Sequence, residues 1–245
     1  MGTWQLLEPK EERARIDGHL IYSDMAAARP LLPDEEIKLL AALDRRRDQV
    51  LFLFGRLTGF RITELLSIRV GDVWDRAGVL SEITLSRLRL KGGQGAQCRR
   101  VRSRTVPLNP QLRAALQTYL EERFEGLAPA PDGFLFASRT GENRPISRVQ
   151  AYRILKSAAA ATGRPERIAT HSLRKTFAHD VFARSGHDLV LTQRALGHSS
   201  VVTTARYVSP DEGAVSAAIL GLVAPLGRVE SFTEKEGSPV PLVSA

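Results

Sequence analysis

Apolar positions first recur at helical spacing behind Pro33-Asp34-Glu35-Glu36, where a proline and three acids open the pattern. Carboxylates in a first turn favour the positive end of the helix dipole, which predicts a helix reaching about Asp44. From about Asp48 the run VLFLFGRL is apolar on all sides, which predicts a helix inside the core, broken at Thr58-Gly59. RITELLSI then returns to helical spacing. Gly71-Asp72 leads into two alternating segments, 79–90 and 99–107, that read as strands. KGGQGAQ between them reads as a hairpin tip whose three glycines permit positive φ.

Asn109 before Pro110 is an N-cap with proline at the first helical position, predicting a helix to about Phe124 with Leu112, Leu116 and Leu120 on one face. After the loop LAPAPDG and the short apolar FLFAS, helices are expected over 147–162, 171–185 (ended by Gly186), 188–196 (Asp188 N-cap, Gly197 beyond the end) and 200–206. The fold class expected is mainly α with a small antiparallel β-sheet. Residues 1–30 read as an extension and 31–212 as one domain. A last apolar helix is expected over 213–223, and the tail 224–245 has too few large apolar residues to fold by itself.

Of the 35 basic residues in 245, lysine occupies only positions 10, 38, 91, 156, 175 and 235, so 29 are arginine, the planar fork suited to phosphate. With 27 acids the formal charge is +8 and the pI about 10.1, which excludes an acidic solvating chain and points to a polyanionic partner. The segments 1–30 and 213–245 each carry a net −1, which leaves +10 on residues 31–212. Residues 83–104 contain Arg87, Arg89, Lys91, Arg99, Arg100, Arg102 and Arg104 and no acid, whereas a solvated face normally mixes both signs. Cys98, the single cysteine, forms no internal disulfide. No apolar run approaches the roughly 20 residues of a membrane span, and the start lacks the apolar core of a secretory signal; the expected compartment is a reducing cytoplasm, with no membrane partner.

Chemistry on phosphate needs charge-assisted donors, a nucleophile and a proton donor for the leaving oxygen. Three clusters offer such groups. Arg61 opens a helix with Glu64 three residues on, placed to orient it. His171 and Arg174 share a helix face. Leu196-Gly197-His198 is followed nine residues later by Tyr207. Taken singly, each has an ordinary explanation: an intrahelical ion pair, an N-cap histidine, a solvent-facing histidine, a hydrogen-bonded tyrosine. His19, His179 and His187 have no charged companion at useful spacing.

In order and spacing, however, Arg61-x-x-Glu64, Lys91 on a glycine-flanked hairpin, His171-x-Leu-Arg174, Leu196-Gly197-His198 and Tyr207 resemble the active-site signature of the tyrosine recombinases, the phage integrase family. The stretch THSLRKTFAHDVFARSGHDLVLTQRALGHSSVVTTARYVSP is similar to that family's C-terminal block almost throughout, and the resemblance covers roughly residues 31–222. It implies the tyrosine recombinase catalytic-domain fold and DNA strand exchange through a covalent 3′-phosphotyrosine intermediate. Tyr207 would be the nucleophile, His171 the base, Arg61 and Arg174 the clamp on the non-bridging oxygens, His198 a side donor to the phosphate, and Lys91 the acid for the leaving 5′-oxygen. Arg99 or Arg100 competes with Lys91 for the place over the phosphate, although an arginine is a poor proton donor. Arg87, Arg89, Arg99, Arg100, Arg102, Arg104 and Lys175 are the expected DNA-binding residues.

No metal and no cofactor is expected, because the arginines supply the charge and neither a phosphate-loop motif nor a zinc spacing occurs. The implied partners are double-stranded DNA carrying a specific recombination site, a homotetramer on two such sites, in which the 213–223 helix either docks into a neighbouring protomer, as the resemblance implies, or caps its own core, and an accessory DNA-bending protein. Arg61 stands only sixty residues in, so the chain resembles compact members lacking the N-terminal core-binding domain; residues 1–30 or a partner protein would compensate. Two other readings are a type IB topoisomerase, which shares a similar residue set, and a DNA-binding regulator without catalysis.

Overall fold

The apolar run after Asp48 forms the helix around which the other elements pack. The computed structural model describes residues 28–94, 102–125, 127–140, 143–205 and 207, with the short pieces 15–16, 19–20 and 219–220. Its helices are α1 (Pro33–Ala41), α2 (Arg46–Thr58), α3 (Ile62–Leu65), α4 (Pro110–Phe124), α5 (Arg148–Ala159), α6 (Thr170–Arg184), α7 (Leu189–Leu196) and α8 (Val201–Ala205). In α2, Val50, Leu51, Phe52 and Phe54 are buried, and the helix packs against α4 and α6. Phe54 meets Phe136 edge to face with centroids 6.2 Å apart. Full burial of each such side chain contributes roughly 1.5–3 kcal/mol.

Local signals set most boundaries. The Asn109 side chain accepts from the amide of Leu112 at 2.8 Å, and Leu112, Leu116 and Leu120 are buried as their spacing predicts. Asp188 caps α7 through the amides of Val190 and Leu191. Gly59 and Gly197, both at φ 63, end α2 and α7 in the left-handed conformation. The anchored chain begins slightly before the expected boundary at 31. Arg29 makes a two-pronged pair with Glu35 (2.6 and 2.7 Å), and the Leu31 amide donates to Thr176 Oγ1 at 2.8 Å.

The expected strands are shorter than their alternation suggested. Strands β1 (Arg15–Ile16) and β2 (His19–Leu20), β3 (Trp74–Asp75) and β4 (Gly78–Val79), and β5 (Glu82–Leu85) and β6 (Arg104–Pro107) form three separate antiparallel pairs among the described residues, not one sheet. After Leu85 the chain turns into a 3-10 coil over Arg87–Arg89, leaving Leu88 half exposed. Register sets Ile83 opposite Val106 and Leu85 opposite Arg104, and all four side chains lie on the buried face.

Residues 95–101, which hold Arg99 and Arg100, lie outside the described residues, as do the tail 224–245 and all of 213–223 except Ile219 and Leu220, which are helical. No helix among the described residues is long and apolar enough to cross a membrane.

A Cβ on Gly59 would stand 2.3 Å from the Phe177 ring, whereas one on Gly186, at φ 68, would meet nothing within 4 Å. Gly186→Ala is expected to cost only the left-handed strain of about 1–2 kcal/mol. Gly59→Ala should cost about 1–3 kcal/mol more from overpacking. Urea unfolding midpoints measure both, and equal losses would show that the Phe177 ring yields freely.

Candidate active site

Two helices end facing one another, and each leaves its last carbonyls without intrahelical partners. Arg174, in α6 and 0% exposed, donates to Gly59 O at the end of α2 and to Leu196 O, 2.9 Å away, at the end of α7. Arg104 donates to the carbonyls immediately before these, Thr58 O at 2.7 Å and Ala195 O. The negative ends of two helix dipoles thus hold two guanidiniums, and the glycine caps bend the chain so that these carbonyls converge.

A cleft of about 1080 Å³ opens on this arrangement and is lined by Arg61, Lys91, His171, Arg174, His198 and Tyr207. The six candidate residues come together although they span 147 positions of chain from Arg61 to Tyr207, both ends included. Arg61 caps α3: its amide donates to Glu64 Oε2 at 2.8 Å and its Nη1 to Glu64 Oε1 at 2.8 Å. Glu64 is buried, so its carboxylate fixes the arginine from beneath and leaves the outer edge of the guanidinium facing the cleft. Lys91 is exposed on the wall, in the turn after Leu90.

Tyr207 lies between two histidines, with ring centroids 5.4 Å from His171 and 5.2 Å from His198. Its hydroxyl is 3.0 Å from His171 Nε2. His198 Nε2 is 2.8 Å from Arg174 Nη2, and its Nδ1 is 2.9 Å from Thr204 Oγ1. Arginine has donors only, so Nε2 is the acceptor and the proton sits on Nδ1, donated to the threonine. His198, expected to donate to a phosphate, here accepts from Arg174 and aims it.

Positive charge dominates. Burial, then Arg174, Lys175, Arg61 and Lys91, push His171 down to about 4. Burial, then Arg174, Arg61 and Arg104, push His198 down to about 3. Burial and the neighbouring Arg61 lower Arg174 to about 10. Among the described residues Glu64 is the one carboxylate lining the cleft, and it is already paired with Arg61.

The expected DNA-facing cations divide. Arg87 and Arg102 are exposed, and Arg102 lines the cleft. Arg89 also lines it but is paired to Asp72 at 2.6 Å. Two assignments need correction. Arg104 is buried, with Nε and Nη1 sealed from solvent, because it takes an inward position in the β6 alternation. Lys175 is half-buried and donates to Ala28 O, so it anchors the chain entering α1 and lines no part of the cleft. Arg148 and Arg194 line the cleft without having been singled out. Arg148 carried a signal: a base directly after the N-cap Ser147 opposes the helix dipole, a placement that packing alone does not favour.

Residues 30–213 match the phage integrase family. The probable integrase/recombinase YoeC of Bacillus subtilis (strain 168) is 35% identical over 185 residues, 75% of this chain and 89% of that protein. The tyrosine recombinase XerA of Pyrococcus furiosus is 29% identical over 72% of this chain. The chain spans little more than half of this XerA (56%) and of the XerD recombinase of Corynebacterium glutamicum (55%). Among solved structures, XerA recombinase aligns with a TM-score of 0.60 and 26% identity, over 78% of this chain and 64% of the other. XerH bound to difH substrate before cleavage aligns at 0.58 and 25%, over 79% and 54%.

Both imidazoles are neutral in the folded protein near pH 7. A histidine whose folded pKa lies below its unfolded value of about 6.5 contributes stability that is present above that value and lost on acidification. Unfolding free energy should therefore fall from pH of about 6.5 toward about 4, by up to about 1.4 kcal/mol per pH unit for each histidine. His198→Gln should flatten this slope in urea unfolding across that range. Equal slopes in variant and parent would return His198 to an ordinary titration.

Proposed function

Because the chain belongs to the phage integrase family of tyrosine recombinases, we propose that it cuts and rejoins double-stranded DNA at a specific recombination site through a covalent 3′-phosphotyrosine intermediate. One observation carries this reading: the Tyr207 hydroxyl stands 3.0 Å from a neutral histidine nitrogen, beside guanidiniums that the cleft leaves short of negative charge. The neutral acceptors that hold these guanidiniums bring no opposite charge, and a phosphodiester entering the cleft supplies it.

In the proposed step the Tyr207 oxygen attacks phosphorus while its proton passes to His171 Nε2. The bond from phosphorus to the 5′-oxygen breaks, and Lys91 protonates the departing oxygen. Arg61 and Arg174 hold the non-bridging oxygens, where negative charge grows in the transition state. Glu64 keeps Arg61 in place, and His198 keeps Arg174 in place. Burial first and then the neighbouring cations hold His171 near 4; the scissile phosphate neutralises the cations' share, so the base strengthens to that extent once DNA is bound. The new ester retains the energy of the old one, and attack by a 5′-hydroxyl reseals the strand.

Exchange between two duplexes requires four strand cuts, which places four copies of the chain on two sites. Arg87, Arg99, Arg100, Arg102, Arg148 and Arg194 would supply charge to flanking phosphates, and an accessory DNA-bending protein would bring the sites together. The reaction belongs in the cytoplasm, with the DNA it acts on. XerH, to which the chain is similar, has been captured with its difH substrate before and after cleavage.

The test is covalent capture from a pool of randomised duplexes, each nicked so that the cleaved end diffuses away. The parent protein should form a detergent-stable adduct on a subset of sequences, with DNA joined through its 3′ phosphate and released by protease, and Tyr207→Phe should form none. Arg61→Ala and Arg174→Ala should each slow adduct formation about a hundred- to a thousandfold. No adduct above the Tyr207→Phe background would overturn the reading in favour of a DNA-binding protein without chemistry. An adduct that relaxes supercoiled plasmid but never joins two sites would point to a topoisomerase.

A further inference from the structure

Arg104 begins β6, 43 or more positions from Arg61, His171, Arg174, His198 and Tyr207 and 13 from Lys91, yet its side chain lines the cleft that holds them all. Its Nη2 bonds Thr58 O at 2.7 Å and also Ala195 O, so one atom joins the end of α2 to the end of α7. The first of these ends leads through Gly59 to Arg61, and the second through Gly197 to His198. Its stem closes the gap beneath the second turn: a Cβ on Gly197 would stand 2.9 Å from Arg104 Cδ. Its guanidinium carbon lies 4.5 Å from the centroid of the Phe60 ring.

Among the described residues no carboxylate pairs with this side chain, and its Nε and Nη1 are buried without hydrogen-bond partners. A surface cation serving DNA would expose those atoms, and a purely structural residue in a dry pocket would be better apolar, since replacing buried charge by well-packed apolar groups is often neutral or stabilising. Beyond the two carbonyls it joins, the charge gains a further use if an anion arrives in the cleft.

We infer that Arg104 is a positioning residue for strand cleavage: it ties the loops carrying Arg61 and His198 at the separation a phosphodiester requires, and places a third positive charge behind that phosphate without touching it. This rests on the cleavage reaction proposed above. Burial and the charge of Arg174 lower Arg104 to about 9, so it remains charged near pH 7.

The experiment uses a nicked duplex recovered from the randomised pool and compares the parent with Arg104→Met, which keeps the stem and loses charge and bonds, and Arg104→Lys, which keeps the charge. Duplex affinity is read in the Tyr207→Phe background. Arg104→Met should cleave about a hundredfold more slowly at saturating DNA, with affinity within about threefold of the parent, and Arg104→Lys should recover at least about tenfold of the loss. NMR titration of His198 should move its midpoint upward in Arg104→Met, because a like charge has gone, and leave it in place in Arg104→Lys. Thermal melting confirms that both variants fold, and the lysine variant carries the test if the methionine variant does not. A methionine variant that cleaves at the parent rate, a loss mirrored fully in affinity, or an unmoved His198 midpoint overturns the inference. A folded lysine variant no better than methionine also overturns it. A parent that forms no adduct is a separate result, which overturns the proposed reaction itself and this inference with it.

Discussion

Arg174 carries a full positive charge with no solvent contact, and it donates to neutral acceptors: Gly59 O, Leu196 O and His198 Nε2. Removing an ion from water costs several kcal/mol even after relaxation. Here the compensation comes from helix ends. The last carbonyls of α2 and α7 have no intrahelical partners and carry the negative ends of their dipoles, so a guanidinium between them satisfies orphaned acceptors while it is itself solvated by them. That coordination ties α6 to the ends of α2 and α7 and to the turn before α8.

The same arrangement leaves the cleft electrostatically incomplete. Two buried guanidiniums, Arg104 and Arg174, and the half-buried Arg61 face a single paired carboxylate among the described residues, and the histidines are held neutral, so the positive charge there exceeds the negative. A site of this kind is organised before its ligand binds, which is the condition under which fixed donors stabilise developing charge most. His198 shows how finely donors and acceptors are allotted: by accepting from Arg174 and donating to Thr204 it uses both ring nitrogens within the protein.

Much was legible wherever one stretch of chain decides the outcome. Asn109-Pro110 started α4, glycines ended α2 and α7, and the apolar run after Asp48 became the central helix, because capping and burial of an all-round apolar surface are settled within a few residues. Arg61 and Glu64 met because three residues is helical reach. Elsewhere local pattern misled. The alternation after Leu85 continues on paper, but pairing stops where the partner strand no longer runs alongside, and the chain coils at Arg87. In the sequence Arg104 reads with its basic neighbours, although its place two residues before Val106 puts it on the buried face; a cation on an apolar face reads as an exception until its acceptors are known.

Residue order and spacing by themselves determined which chemical groups this protein owns, where its helices begin and end, and which family those groups resemble. Only the tertiary structure decided what each group does there. Arg174 finds one acceptor 115 positions away and another 22 positions away, and Arg104 reaches 46 positions one way and 91 the other. Which lone pair His198 offers, whether a histidine is charged, and whether an arginine meets DNA or the interior depend on desolvation and on partners brought in from distant chain. No local pattern contains that information, because hydrogen bonds and dielectric surroundings are properties of the packed neighbourhood.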